Sequence, residues 1–323
     1  MSFEKLREII LVPRHQLWSG VRLFCIILLG ALILSPLAAR LPMLGWDWFY
    51  FFNRHNPDFN ILSPTSAYPP YTAILLSALT WMDWRISLSI LHSLTLISIA
   101  VGTWQNGGRY GSIFLALLTP PVWYLLWVGQ PDGLSLLGLV TGFIPLALIK
   151  PQLTIFSLMN NHRSFVWTAI FLAASLLIWP LWLLNLRRAS FDHPAAFGWA
   201  ATGWPILVLG LILLAGAGNN PYRLMAAGFL ASPFLMPYNL ALLAPSIGAA
   251  KGIRKILLWA AAWLTVLGVG LPWPAKYLHL VFPLCAYCLT HSLDDYRTNL
   301  AVLTGTSKRY ATIILDGARR RLS

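Results

Sequence analysis

The chain has 323 residues, of which 58% are apolar and 10% charged, with a mean hydropathy of +0.67. A soluble domain carries roughly 25% charged residues, so this composition excludes a water-facing globular surface. Its 23 Lys and Arg against 10 Asp and Glu give a net charge of +13. Those cations sit in the tails and in short loops between long apolar runs, which points to a bilayer and away from nucleic acid.

The first nineteen residues hold Glu4, Lys5, Arg7, Glu8, Arg14 and His15, and are read as a cytoplasmic N-terminal segment. The run from Gly20 to Ala39 that follows is long enough to span, with no cleavage signal in view, so it is expected to be an uncleaved first helix. Further apolar runs fall at 67–81, 86–104, 111–128, 132–149, 151–160, 164–185, 200–217, 223–236, 238–249, 253–272 and 275–290. The expectation is an all-α polytopic bundle of about 10–12 transmembrane spans over residues 20–290. The basic loop Lys251 to Lys255 and the tail 291–323, with Lys308, Arg309, Arg319, Arg320 and Arg321, belong inside. An even number of crossings leaves both termini cytoplasmic in a multi-pass cell-membrane protein.

The connection 41–67 between the first two helices falls on the outer side. It is aromatic yet dotted with charge, as an amphipathic segment in the membrane interface would be, and loops of this length in a compact protein are usually functional. Cys25, Cys285 and Cys288 all lie inside apolar runs and read as buried small hydrophobes. His92, alone in an apolar helix, reads as a packed histidine. No acidic pair or His cluster stands at metal-ligand spacing, so no metal and no cofactor is expected.

The ten acids are Glu4, Glu8, Asp47, Asp58, Asp83, Asp132, Asp192, Asp294, Asp295 and Asp316. Setting aside the tails and the cytoplasmic turn at Asp83, an outward-facing base must be Asp47, Asp58, Asp132 or Asp192. Asp47, between Trp46 and Trp48 at the start of the amphipathic segment, is the strongest; partial desolvation there favours basicity, although a carboxylate capping that segment is the plainer role. Asp132 either caps the helix it begins or takes part in a site. Lys150 lies deep in apolar sequence and needs a counter-anion unless it snorkels: Asp47, Asp58, Asp132 or a bound phosphate. Arg54 and His55 are further candidates to meet a phosphate.

Four segments in order, spread over about residues 43–165, resemble one family. Trp46-Asp47-Trp48-Phe49-Tyr50 resembles its first-loop "DF..Y" element and Tyr68-Pro69-Pro70-Tyr71 its "YPP". Gly129-Gln130-Pro131-Asp132 resembles its "GQ.(N/D)" motif and Lys150-Pro151-Gln152 its "KPQ". Together they resemble glycosyltransferase family 87, the polyprenol-phosphate-mannose-dependent α-mannosyltransferases of the GT-C superfamily. The resemblance implies a GT-C-like fold and an inverting, metal-independent transfer of a hexosyl group from a polyprenyl-phosphate sugar to a lipid or glycan acceptor. It implies Asp47 as general base, Lys150, Arg54 or His55 against the leaving phosphate, and Tyr68, Tyr71, Gln130 and Gln152 as sugar contacts. Counting helices, however, puts Gly129-Gln130 on the cytoplasmic side, opposite Asp47, unless Pro120-Pro121 breaks the helix and leaves Gln130 within the membrane. Two other classes remain: a secondary transporter or lipid flippase using Asp132 and Lys150 as an intramembrane pair, and a non-catalytic subunit of a membrane complex.

Overall fold

The computed structural model describes residues 44–52, 68–180, 182, 196–269 and 275–290. Among these the chain is all-α, with no strand. A π-helical turn, Trp48–Phe52, precedes α1 (Pro70–Leu75), α2 (Ser77–Thr80) and α3 (Trp84–Gln105). Then come α4 (Tyr110–Leu117), α5 (Pro120–Val128), α6 (Asp132–Thr141), α7 (Ile144–Ala147), α8 (Pro151–Leu158) and α9 (His162–Ile178). The remaining elements are α10 (Trp199–Thr202), α11 (Trp204–Gly216), α12 (Pro221–Ala231), a 3₁₀ stretch Pro237–Gly248, α13 (Ile253–Gly268), a 3₁₀ turn Ala275–Tyr277 and α14 (Leu278–Leu289).

Proline and glycine cut the apolar runs into these pieces. Pro70, Pro120, Pro151 and Pro221 each open a helix, where a missing N–H costs nothing. Gly129 and Gly142 close α5 and α6 at φ +74, a left-handed conformation that a residue with a Cβ rarely adopts. Asp83 caps α3 by accepting from the amides of Arg85 at 2.9 Å and Ile86 at 3.3 Å.

Full-length helices among the described residues are therefore fewer than the hydropathy runs imply. Among the described residues, α3 has the length and composition to cross a membrane, and α4 and α5 pass the same test together but bend by 54° at their junction. The other described apolar helices are shorter than a full span, and the expected first helix, 20–39, lies outside the described residues.

The 3₁₀ stretch is wholly buried and packs on α3, α4 and α5, while α12 packs between α8, α11 and α14. Glycine sets how closely α3 and α6 approach, since a Cβ on Gly133 would lie 2.0 Å from Thr95 Oγ1. Serine and threonine inside α3 return their hydroxyls to their own helix, as Ser98 does to the Leu94 carbonyl and Thr103 to that of Ile99. His92 is buried and bonded through Nε2 to the Leu126 carbonyl at 2.9 Å, a structural role as its position implied.

Many large apolar side chains stand on the outside of the described residues. Leu177, Trp204, Ile253, Trp81, Phe114 and Ile212 are all more than half exposed, whereas Asp132, Ser135, Ser98 and Thr154 are fully buried. Cys285 and Cys288 are free thiols, and Cys288 is exposed on α14 rather than buried.

Candidate functional site

The site is assembled from three chain breaks and one irregular segment. At the first, Gly45 donates its N–H to the Trp127 carbonyl at 2.7 Å and starts the turn that carries Asp47. Trp48 beside it is fully buried, stacked on Phe52 and donating Nε1–H to Ser87 Oγ at 2.8 Å. Asp47 is thus anchored on one side by a buried indole, while Trp46 on the other side is 45% exposed.

The second break is the left-handed Gly129 after α5. A Cβ there would stand 2.8 Å from the Gly45 Cα, so the two glycines let the Asp47 turn lie against the end of α5. Gln130, the next residue, is thereby brought to Asp47: its Nε2–H donates to Asp47 Oδ2. The helix-counting expectation that separated Gln130 from Asp47 is corrected here. The break at Thr119-Pro120 turns α5 away from α4, and the chain returns Gln130 to the Asp47 side.

The third break is Ile149-Lys150-Pro151 between α7 and α8. It strands the carbonyls of Ala147, Leu148 and Ile149, all fully buried. Thr154 Oγ1 donates to the first, Tyr71 OH to the second at 2.7 Å and Thr72 Oγ1 to the third at 3.3 Å. Lys150 itself is 6% exposed, and its Nζ donates to Gln130 Oε1 at 2.8 Å. The same Nζ forms an ion pair with Asp132 Oδ1 at 2.5 Å. The rings of Tyr68 and Tyr238 each lie 5.2 Å from this ammonium, within cation–π range.

Asp132 is completely buried and opens α6 without capping it, so the capping role gives way to the ion pair. Its second oxygen, Oδ2, accepts from Asn239 Nδ2 at 2.5 Å. Asn239 is held in turn by accepting the Met236 N–H on Oδ1 at 2.6 Å. Tyr68 OH donates to Gln130 Oε1, the atom Lys150 also reaches.

Asp47, Tyr68, Gln130, Asp132 and Lys150 therefore meet in one continuous hydrogen-bonded cluster. Asp47 and Tyr68 are its half-buried members; Gln130, Lys150 and Asp132 are buried. Asp132 balances the Lys150 charge, and Lys150 reaches Asp47 through the Gln130 amide. A half-buried carboxylate steadied in this way can accept a proton from a hydroxyl that approaches it.

Two expected sugar contacts stand apart. Tyr71 is buried, with its hydroxyl on the Leu148 carbonyl and its ring edge-on to Phe171, so it serves the α7–α8 junction instead of the cluster. Gln152 sits at the start of α8 with Oε1 buried and without a hydrogen-bond partner among the described residues. Arg54, His55, Asp58 and Asp192 lie outside the described residues.

Asn239 and Tyr238 belong to the cluster, although neither was among the expected site residues. Their signal was one amide and one phenol in the apolar, proline-bounded stretch Pro237–Gly248. Tyr238 meets Tyr124 edge-on at 5.7 Å, and Tyr124 lines an apolar groove with Pro120, Pro121, Pro237 and Val266. Among the described residues no three His, Cys, Asp or Glu side chains are grouped as a metal site. No family model, curated protein or solved structure matches the chain.

Proposed function

We propose that the chain is a GT-C-like integral membrane glycosyltransferase, inverting and independent of metal. It moves a hexosyl group, mannosyl by the family resemblance, from a polyprenyl-phosphate sugar to a lipid or glycan acceptor at the extracytoplasmic face. The observation that carries this reading is the convergence of the four motif segments. Asp47, Tyr68, Gln130 and Lys150 come from four different motifs separated by up to about a hundred residues of sequence, yet they form one cluster with Asp47 at its accessible edge.

Asp47 accepts the proton of the acceptor hydroxyl. The acceptor oxygen then attacks the anomeric carbon, the glycosidic bond forms with inversion, and the bond from that carbon to the phosphate oxygen breaks. Polyprenyl phosphate leaves with the bonding pair. Lys150 is already paired with Asp132, so its part in the ground state is to hold Gln130 against Asp47. The resemblance leaves Arg54 and His55 to meet the leaving phosphate. The groove beside Tyr124 offers an apolar path for a hydrocarbon tail close to the cluster.

A multi-pass membrane setting is supported by the inverted distribution of polarity. Large apolar side chains are exposed along α9, α11 and α13, while an aspartate, a lysine and an asparagine are buried inside. Helices shorter than a full span are tolerated at membrane depth where they line protein, and the basic residues of both termini put them in the cytoplasm.

A secondary transporter or flippase is the second reading, favoured by the buried Asp132–Lys150 pair at 2.5 Å. Protein in nanodiscs, given radiolabelled polyprenyl-phosphate mannose or its glucose and arabinose analogues with a lipid extract and EDTA, separates the two. Labelled product with release of polyprenyl phosphate supports the transferase. Translocation of the donor in proteoliposomes without product supports the transporter.

A further inference from the structure

Asn239 is the far end of the cluster, on the 3₁₀ stretch, and every hydrogen bond between it and Asp47 has a forced polarity. The Met236 N–H can only donate, so Asn239 must present Oδ1 to it and Nδ2–H₂ to Asp132. Asp132 Oδ2 accepts there, which turns Oδ1 to Lys150. The Lys150 ammonium can only donate, as Tyr68 OH does here, so Gln130 must present Oε1 to both. Nothing but its Nε2–H₂ is then left for Asp47.

From these contacts we infer that Asn239 is a positioning residue that holds the Asp132 carboxylate against Lys150 and so steadies the Lys150–Gln130 hold on the Asp47 carboxylate. It acts through Asp132, Lys150 and Gln130, and touches none of the reacting atoms. Asn239 is buried at 4% exposure and sits 107 residues from Asp132 in sequence. The inference rests on the transferase reading only for its rate readout.

Asparagine and aspartate are nearly the same size, which separates polarity from packing. Asn239→Asp sets two carboxylates against each other. Asp132→Asn sets two amides together, one of which must then misalign with Lys150 or with Asn239. The double exchange, Asn239→Asp with Asp132→Asn, restores a donor facing an acceptor at each link and keeps the total charge, with the carboxylate moved one link away from Lys150.

The test measures two quantities in nanodisc-embedded protein across these four forms. One is sugar transfer from polyprenyl-phosphate mannose. The other is modification of Asp47 by a hydrophobic carbodiimide, followed by peptide mass spectrometry, which reads the state of that carboxyl whatever the reaction. Losing one hydrogen bond to a charged group is expected to shift either readout about tenfold in each single variant. The double exchange is expected to recover most of that shift. Labelling that follows this pattern without transfer in any form would remove the transferase reading and keep the positioning role. Transfer in the wild type with unchanged rate and labelling in both single variants would overturn the inference. So would single-variant losses that the double exchange leaves uncorrected, because the readouts would then not follow the donor–acceptor pattern.

Discussion

Removing the Lys150 ammonium is the most informative perturbation of the buried cluster. The Lys150 and Asp132 side chains are 8% and 0% exposed, with Nζ 2.5 Å from Oδ1. In Lys150→Met the carboxylate of Asp132 would keep the Asn239 amide but lose its cation, far from water. Breaking a buried pair from one side costs about 3–5 kcal/mol, because the charge left behind is uncompensated. Asp132→Asn strands the ammonium and belongs in the same range, eased by the Tyr68 and Tyr238 rings at 5.2 Å. Removing both charges leaves neither group stranded, so the double variant is expected to cost less than the sum of the singles, with a coupling of about 2–3 kcal/mol. Unfolding in mixed lipid–detergent micelles, followed by helical circular dichroism against denaturant, supplies the three differences. Single variants within about 1 kcal/mol of wild type that add simply in the double would refute the pair as an energetic unit.

Gly133→Ala would drive a Cβ to within 2.0 Å of Thr95 Oγ1; a loss of about 1–3 kcal/mol in the same unfolding measurement is expected, as for overpacking generally. Gly129→Ala combines a left-handed φ of +74 with a Cβ 2.8 Å from Gly45, so it should push the Asp47 turn away and raise carbodiimide modification of Asp47. Tyr68→Phe removes one of two donors to Gln130 Oε1 while Lys150 keeps the other. Its stability should fall by only about 1 kcal/mol in the unfolding assay.

Asp47 and Asp132 stood out in the sequence because acids are so scarce that elimination among ten leaves four, of which Asp58 and Asp192 lie outside the described residues. That Lys150 needs a counter-anion also followed from its apolar flanks, and Asp132 is the one that meets it. Which side Gln130 takes was not legible by counting helices, since the count assumes straight spans and the α4–α5 unit bends by 54°. The same proline and glycine breaks make the hydropathy runs longer than the helices they become. Asn239 was hidden for a different reason: a single amide inside an apolar run carries no periodic cue, and its partner is 107 residues away. Tyr71 misled in the opposite direction. Its place beside Tyr68 in one motif suggested a shared role, but the stranded Leu148 carbonyl claims its hydroxyl. The all-α class itself was plain from composition.

The role of Asp47 as the base of a sugar transfer is tested most directly by one rate. That rate is mannosyl transfer from polyprenyl-phosphate mannose in nanodiscs with EDTA, wild type against Asp47→Asn. The substitution keeps the side chain's size and removes its ability to take a proton, so the rate is expected to fall by about 10²–10⁴, the usual worth of a general base. A variant that transfers sugar at the wild-type rate would contradict that role.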